Sequence, residues 1–115
     1  MVRVLAVSSD LAVCRQIHAA LEGHHVEVAL DAVCARMALS DGFDVVLVDS
    51  GLGAEAVQLV GHVRRLSGDA VRIVALGANG TADPLLEAGA DDRGSKPVSA
   101  AELGPVVARS IVSVA

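Results

Sequence analysis

Short apolar runs alternate along the chain with longer segments in which apolar residues recur at helical spacing. The apolar runs are typical of strands and span residues 2–7, 26–30, 44–48 and 71–76, with a weaker fifth candidate at 92–95. The segments with helical periodicity span residues 11–21, 31–39, 54–66, 84–88 and 99–114. This alternation predicts a parallel sheet with helices on both of its faces. We expect a poor fifth strand, because its residues have low β propensity, and a fourth helix of barely one turn.

Polar residues at the predicted helix ends indicate where the helices begin. Asp10, Asp31 and Asp83 each precede a helical segment, where a carboxylate can accept hydrogen bonds from the first free amides. The last helix opens at Ser99 with a capping-box pattern, a serine followed three positions later by glutamate. Pro105 removes a hydrogen bond from that helix, so we expect a kink there or a helix that begins near Pro105.

The composition indicates one domain with an aliphatic core. A length of 115 residues is that of a single domain, so we expect one domain over residues 1–115. Hydrophobic residues make up 53% of the chain, yet it contains one Phe and no Trp or Tyr. The core must therefore consist of Val, Leu, Ile and Ala, which suit the buried strands of a parallel sheet. We expect Cys14 and Cys34, each on a predicted helix, to pack as small hydrophobic residues.

Charge and hydropathy argue against two classes of partner. The net charge is −5 and no basic stripe is present, so the sequence does not predict a nucleic-acid interface. The densest basic spot, Arg64-Arg65, ends a predicted helix, where positive charge complements the helix dipole. The apolar run at 2–7 is too short for a signal peptide or a membrane span. We therefore expect a cytoplasmic protein without membrane contact.

Asp49 is the first candidate for chemistry. In open α/β sheets, ligands bind at the carboxyl ends of the strands. Asp49 follows the most continuously apolar strand and precedes a loop that contains glycine. A carboxylate in such a place is costly unless it is paired, caps the loop or reacts. Its position alone fits a functional role and a loop-capping role equally well.

Three segments resemble the receiver domains of two-component response regulators. Residues 44–49 are similar to the strand that carries the phosphoacceptor aspartate of that family. Residues 87–92 and 95–97 are similar to the end of its fourth helix and to its lysine-proline loop. The opening strand and the last helix also align, so the resemblance covers essentially the whole chain. It implies a flavodoxin-like, doubly wound α/β fold with a five-stranded parallel sheet in the order 2-1-3-4-5.

The resemblance also implies a chemistry. In the family, a phosphoryl group passes from a histidine of a kinase to the aspartate, which acts as the nucleophile. Matched by position, Asp49 is the equivalent of the phosphoacceptor and Lys96 is the equivalent of the lysine that contacts the phosphate. Charge on the transferring group is also neutralised by Mg²⁺, which the family holds with the aspartate and an acidic pair after the first strand.

Several positions depart from the family pattern. The acidic pair is Ser8-Ser9 here, and Asp10 comes one position late, where it fits a helix cap better. The hydroxyl residue that ends the fourth strand is replaced by Gly77, so position 77 offers no side chain to a phosphoryl oxygen. The aromatic switch residue of the fifth strand is replaced by Arg93. The stretch between Gly77 and the lysine-proline loop is also about one helical turn short.

These departures favour a pseudo-receiver over a working receiver. Hydroxyls are poor, neutral ligands for Mg²⁺, so we expect no bound metal, no cofactor and no enzymatic activity. Such a domain would act by binding a protein, either a histidine kinase or a downstream regulator. The alternative is a receiver that is phosphorylated at Asp49 and uses Mg²⁺. Homodimerisation through the last two helices and the strand between them is a further hypothesis, against which the weak fifth strand and Pro105 argue.

A third hypothesis is a small nucleotide-binding domain. Residues 51–56, Gly-Leu-Gly-Ala-Glu-Ala, formally match a dinucleotide fingerprint that ends in alanine. A phosphate at the amino end of the following helix would be physically sensible. However, the motif follows the third predicted strand, whereas the fingerprint belongs after the first strand of a βαβ unit. The chain is also too short for two nucleotide-binding halves.

Overall fold

The computed structural model describes residues 2–78 and 80–112, except for the side chains of 109–112. The strands are β1 (Arg3–Val7), β2 (His25–Ala29), β3 (Val45–Asp49), β4 (Arg72–Leu76) and β5 (Asp92–Gly94). The helices are α1 (Leu11–Ala20), α2 (Ala32–Ala38), α3 (Ala54–Ser67), α4 (Asp83–Ala88) and α5 (Ala100–Val112). Two short 3₁₀ turns lie at Leu39–Asp41 and Ser50–Leu52. In this described part of the chain, no helix is long and apolar enough to cross a bilayer.

All neighbouring strands pair in parallel, in the order β2-β1-β3-β4-β5. The predicted fold class and strand order are therefore confirmed. The short fourth helix is confirmed at six residues, and β5 has only three. All five residues of β3 are buried, as expected for a central strand that is covered on both faces.

Side chains that alternate along the strands build a separate core on each face of the sheet. On one face, Leu5 and Val46 pack in a cluster with residues of α2, α3 and α4, such as Leu59. On the other face, Val4 and Leu47 belong to a cluster with residues of α1 and α5. Aliphatic residues supply both cores, as the composition predicts, and the helices cover the two sides of the sheet.

The predicted caps of the first two helices are confirmed. Asp10 Oδ1 accepts a hydrogen bond from the Ala12 amide at 2.9 Å, and Asp31 Oδ1 accepts one from the Cys34 amide at 2.8 Å. The prediction for the cysteines is half wrong. Cys14 is buried against the sheet, but Cys34 is exposed, because α2 turns its alanines rather than this cysteine toward the core.

The start of α4 differs from the prediction, whereas α5 begins directly after the predicted cap at Ser99. α4 begins at Asp83 rather than after it, so the cap position falls on Ala82, which has no side chain that could cap the helix. The Asp83 carboxylate forms an ion pair with Arg93. α5 begins at Ala100, so the alternative of a start near Pro105 is wrong. Glu102 Oε1 accepts a hydrogen bond from the Ser95 amide at 2.6 Å, and it thereby ties the loop before α5 to the first turn of the helix.

The side chain of Arg64 joins α3 to the segments around β4 and α4. The interpretation of Arg64-Arg65 as charges that complement a helix dipole did not predict these contacts. Its guanidinium donates to the carbonyls of Gly68 and Val71 and, through two nitrogens, to the carbonyl of Gly89. It also forms an ion pair of 2.7 Å with Asp91, and both side chains are only 21% exposed. A half-buried charge that binds several carbonyls at once contributes more to stability than a pair at the surface.

Replacing Arg64 with Met should destabilise the fold, because the apolar stem is kept while several hydrogen bonds and an ion pair are lost. We expect the free energy of unfolding to fall by about 2 kcal/mol, measured by urea denaturation. Arg65→Met, on the exposed neighbouring position of the same helix, is the matched control and should change it by less than about 0.5 kcal/mol. Equal effects of the two substitutions would contradict the role given to Arg64.

Candidate functional site at the carboxyl edge of the sheet

Asp49 lies in the crevice where the chain path reverses its direction across the sheet. From β1 the chain moves to one side, to β2, and from β3 it moves to the other side. The carboxyl ends of β1 and β3 therefore form the switch point at which α/β sheets bind ligands. Asp49 is the last residue of β3 and is 3% exposed. The position that the sequence singled out is thus a buried carboxylate at the expected edge.

Three donors from separate segments satisfy the Asp49 carboxylate. The Ser8 hydroxyl, just after β1, donates to Oδ2 at 2.7 Å. The Lys96 ammonium, in the loop between β5 and α5, donates to Oδ1 at 2.8 Å. The Gly51 amide donates to Oδ1 at 2.9 Å, so Asp49 also caps the 3₁₀ turn that follows it. The structure thereby brings Asp49, Lys96 and Ser8 together. Asp49 is paired with the Lys96 ammonium and also caps the loop that follows β3.

The donors keep Asp49 ionised despite its burial. Burial is the largest single influence and raises the pKa of its carboxyl group. The hydrogen bonds from Lys96, the Gly51 amide and Ser8, together with the charge of Lys96, outweigh burial and leave the pKa below its ordinary value. At neutral pH the site is a carboxylate bound to an ammonium.

The residues that follow β1 do not complete a magnesium site. Ser8 is fully buried, and its hydroxyl serves Asp49 while its oxygen also accepts from the Asp10 amide at 3.1 Å. Ser9 is exposed, and the Asp10 carboxylate is engaged in capping α1. Among residues 2–78 and 80–112, no group of three or more His, Cys, Asp or Glu residues is placed to hold a metal ion. Beside Asp49, the residues that follow β1 thus offer the Ser8 hydroxyl rather than a second carboxylate.

Cys14 belongs to the surroundings of this site, although its place in the sequence gave no sign of it. Its thiol lies 3.7 Å from the Ser8 carbonyl oxygen, to which it donates. Burial first, and then the negative charges of Asp10 and Asp49, raise the pKa of the Cys14 thiol. A neutral thiol on this side of the site adds no further charge to it.

The space beside Gly77 is occupied rather than empty. A Cβ atom built on Gly77 would collide with the hydroxyl of Thr81 and would lie 2.5 Å from the hydroxyl of Ser50. These two hydroxyls are hydrogen-bonded to each other at 3.1 Å. Position 77 offers no side chain, as the sequence shows, but hydroxyls from two other residues fill its place. Neither Ser50 nor Thr81 stands out in the sequence. The two hydroxyls come together only in the folded chain, where Thr81 lies next to Ser50.

Arg93, at the other departed position, faces away from Asp49. Its side chain is 65% exposed and forms an ion pair of 3.4 Å with Asp83, at the start of α4. Arg93 lines a cleft of about 470 Å³ whose walls also include Gly77 and Glu102. The glycine motif at 51–56 is likewise engaged locally, since the amide of its first glycine is already bound to Asp49.

The lowered pKa of Asp49 predicts how stability depends on pH. Because the folded-state pKa lies below the unfolded value of about 3.9, the stabilisation is present above that value and is lost as the pH falls through the folded pKa. Asp49→Asn should cost about 2 kcal/mol at pH 7 and progressively less below pH 4, as measured by urea denaturation over pH 2–7. Asp69→Asn, at a fully exposed carboxylate, is the control. A cost of Asp49→Asn that stays constant with pH would contradict this assignment.

The fold of this chain is similar to that of proteins whose structures have been solved. No protein-family model matches the sequence, and no curated protein matches it. The NtrX protein of Brucella abortus, in a crystal structure with ADP, superposes with a TM-score of 0.87 at 24% identity. The match covers 97% of this chain and 26% of the NtrX chain, so the chain spans about a quarter of that relative's length.

Isolated receiver domains match along their whole length. The receiver domain of Brucella abortus NtrX superposes with a TM-score of 0.83 at 25% identity, and the match covers 93% of this chain and 96% of that one. A CheY-like receiver domain protein from Methanospirillum hungatei gives a TM-score of 0.85 at 23% identity, with 98% and 95% covered. With its parallel strand order and these superpositions, the chain has the fold of the CheY-like receiver domains of response regulators.

Proposed function

We propose that this domain is a pseudo-receiver, a signalling module that acts by protein–protein contact and does not use Mg²⁺-dependent phosphorylation of Asp49. The observation that carries the proposal is the set of partners of Asp49. A serine hydroxyl, a lysine and a backbone amide satisfy both carboxylate oxygens without a metal ion. The serine stands where a metal-binding receiver would carry a carboxylate.

Electrostatics explains why this set of partners disfavours phosphorylation. A phosphoryl group approaching Asp49 would bring negative charge to a site whose cation, Lys96, is already paired. Without a second cation, the charge that develops in the transition state would have no further counter-ion. Losing one electrostatic contact of this kind typically costs about 3 kcal/mol of transition-state stabilisation. The Ser8 hydroxyl does not replace the missing cation, because it carries no charge and already donates its hydrogen bond to Asp49.

The same set of partners supports a role in binding. A carboxylate that is neutralised internally gives the domain one stable ground state without metal or phosphate. Receiver domains exchange signals with histidine kinases and with downstream effectors, so we propose a protein of one of these two kinds as the partner. Signalling by contact requires no catalytic residue, in line with the expectation that the domain is not an enzyme. A cytoplasmic location stays a prediction from the sequence.

The second candidate function is a phosphoacceptor domain. It is favoured by one observation: Asp49 and Lys96 are in direct contact, and two hydroxyls, those of Ser50 and Thr81, lie beside Gly77. A site that had lost phosphoryl transfer altogether would not need to keep these groups near one another. The nucleotide-binding hypothesis has no comparable support, because the first amide of its motif is bound to Asp49.

Incubation with acetyl phosphate and Mg²⁺, followed by intact-mass measurement, tests the proposal directly. We expect the mass of the wild-type chain to stay unchanged, since the metal-binding carboxylates are absent. Asp49→Asn is the matched control for any modification elsewhere. A phosphoryl adduct that forms on the wild type and is missing from Asp49→Asn would overturn the pseudo-receiver proposal in favour of the second candidate.

Restoring the acidic pair should restore metal binding. The Ser8→Asp/Ser9→Asp double variant places two carboxylates beside Asp49, whose mutual repulsion favours a divalent cation. We expect 10 mM Mg²⁺ to raise its melting temperature by about 4 °C and to leave that of the wild type within about 1 °C. The same double variant with Asp49→Asn should lose most of the rise. A wild-type rise as large as that of the double variant would show that the hydroxyls suffice.

A further inference from the structure

β2 lies at one edge of the sheet, and within the described part of the chain β1 is its only neighbouring strand. The His25 amide and the Ala29 carbonyl form hydrogen bonds with the residues that flank β1, so the odd-numbered residues of β2 direct their peptide groups toward β1. The peptide groups of Val26 and Val28 therefore point outward, because these groups alternate in direction along a strand. An outward row of amides and carbonyls is a template for a further strand.

β2 lacks the features that usually keep an edge strand from pairing. Proteins protect such edges with Lys or Pro residues and with β-bulges. The five residues of β2 include neither Lys nor Pro, and the strand pairs with β1 residue for residue, without a bulge. Its single carboxylate, that of Glu27, lies 3.2 Å from the His25 ring and 3.9 Å from the Arg3 guanidinium. The edge is thus open to a strand whose side chains match it.

Exposed apolar side chains gather at this edge. Among the described residues, six large hydrophobic side chains are exposed, and four of them lie within residues 28–37: Val28, Leu30, Val33 and Met37. Val33 and Met37 are one turn apart on α2, the helix that packs beside β2 through its alanines. Met37 is 73% exposed and Leu30 is 49% exposed. Apolar surface that is concentrated in one place marks an interaction site.

The side chains of β2 match those of a second copy of the same strand. In an antiparallel pair with its twofold axis at Val28, this residue lies opposite itself, and Val26 lies opposite Leu30 of the second copy. Alternate side chains share one side of a strand, so these apolar pairs form on the same side of the sheet. Glu27 lies opposite Ala29, so no two carboxylates face each other. The register thus pairs apolar residues with apolar residues.

The neighbouring registers are less favourable, because like charges placed directly opposite each other destabilise a strand pair. With the axis one residue earlier, Glu27 would face Glu27 of the second copy. With the axis one residue later, Glu27 would face Asp31. With the axis two residues earlier, the exposed Leu30 would face the exposed Glu22. The sequence around β2 therefore selects Val28 as the position of the axis.

We propose that two copies of this chain associate through β2, antiparallel about a twofold axis at Val28, so that their two sheets join into one continuous sheet. Such an interface uses the same surface on both copies, as is usual for twofold dimers. The outward peptide groups of Val26 and Val28 supply its hydrogen bonds. The inference goes beyond the proposed function and does not involve Asp49. It also differs from dimerisation through the last two helices.

Sedimentation velocity between about 10 and 500 µM tests the association. We expect the sedimentation coefficient of the wild type to rise with concentration from that of a monomer to that of a dimer. Val28→Lys and Val28→Glu should each weaken dimerisation by about tenfold or more, because like charges would meet at the axis. An equimolar mixture of these two variants should dimerise again, since Lys then faces Glu. Leu66→Lys, at an exposed residue of α3, is the control and should behave as the wild type.

A cysteine at the axis provides a second measurement that does not depend on charge. Residues opposite each other in such a pair have Cα atoms about 5.5 Å apart, which is within the range of a disulfide. Val28→Cys should therefore form an intermolecular disulfide under diamide. The background carries Cys34→Ser, because Cys34 is exposed. Leu66→Cys in the same background is the control and should form little cross-linked dimer.

Several outcomes would overturn the inference. A wild type that stays monomeric over the whole concentration range would do so. A dimer that persists in Val28→Lys and in Val28→Glu would show that another surface, such as the last two helices, forms it. An axis at Val28 is contradicted if the mixture of the two charged variants stays monomeric, or if Leu66→Cys cross-links as readily as Val28→Cys. Urea denaturation checks that the variants are folded, which we expect because Val28 is 36% exposed.

Discussion

The site is organised by the need to compensate one buried charge. An unpaired carboxylate at the end of the central strand would be strongly destabilising, because the fold surrounds it with apolar residues. Asp49 is compensated by groups from three places far apart in the sequence: the end of β1, the turn after β3 and the loop before α5. These segments come together only because parallel strands present their carboxyl ends at one edge. The ion pair with Lys96 thus depends on the whole sheet, and it also fixes the loop that carries Lys96.

The hydroxyl of Ser8 acts on Asp49 differently from a carboxylate at the same position. A carboxylate there would repel Asp49 and would need a cation between them, whereas a hydroxyl donates to Asp49 directly. Ser8 therefore supplies a hydrogen-bond donor at a place where a carboxylate would add a negative charge. Groups of the chain itself thereby satisfy both oxygens of the Asp49 carboxylate.

Much of the fold follows from the sequence, because hydrophobic periodicity and polar caps are local signals. The parallel sheet, the buried place of Asp49 and the caps at Asp10 and Asp31 needed no knowledge of distant residues. The network of Arg64 could not be found in this way, since its carbonyl partners come together only when α3 packs on the β4–α4 segment. The exposure of Cys34 was missed because α2 is apolar on several sides, so its pattern does not say which face is buried.

The same difference between local signals and contacts of distant residues applies to the candidate site. Its charged members, Asp49 and Lys96, could be placed by their position after strands and by the family resemblance. The contents of the space beside Gly77 could not, because a glycine in a sequence shows that a side chain is missing and does not show what fills the gap. Only the path of the loop before α4 brings the Thr81 hydroxyl to that point, next to Ser50.

The residues at the positions that depart from the receiver pattern have partners of their own. Ser8 bonds to the carboxylate that a metal would otherwise serve, and the hydroxyls beside Gly77 occupy the room that its missing side chain leaves. Arg93 pairs with Asp83 at the surface instead of lying unpartnered. The site therefore holds together through contacts within the chain at each of these positions, because a new partner takes the place of each group that the receiver pattern would supply.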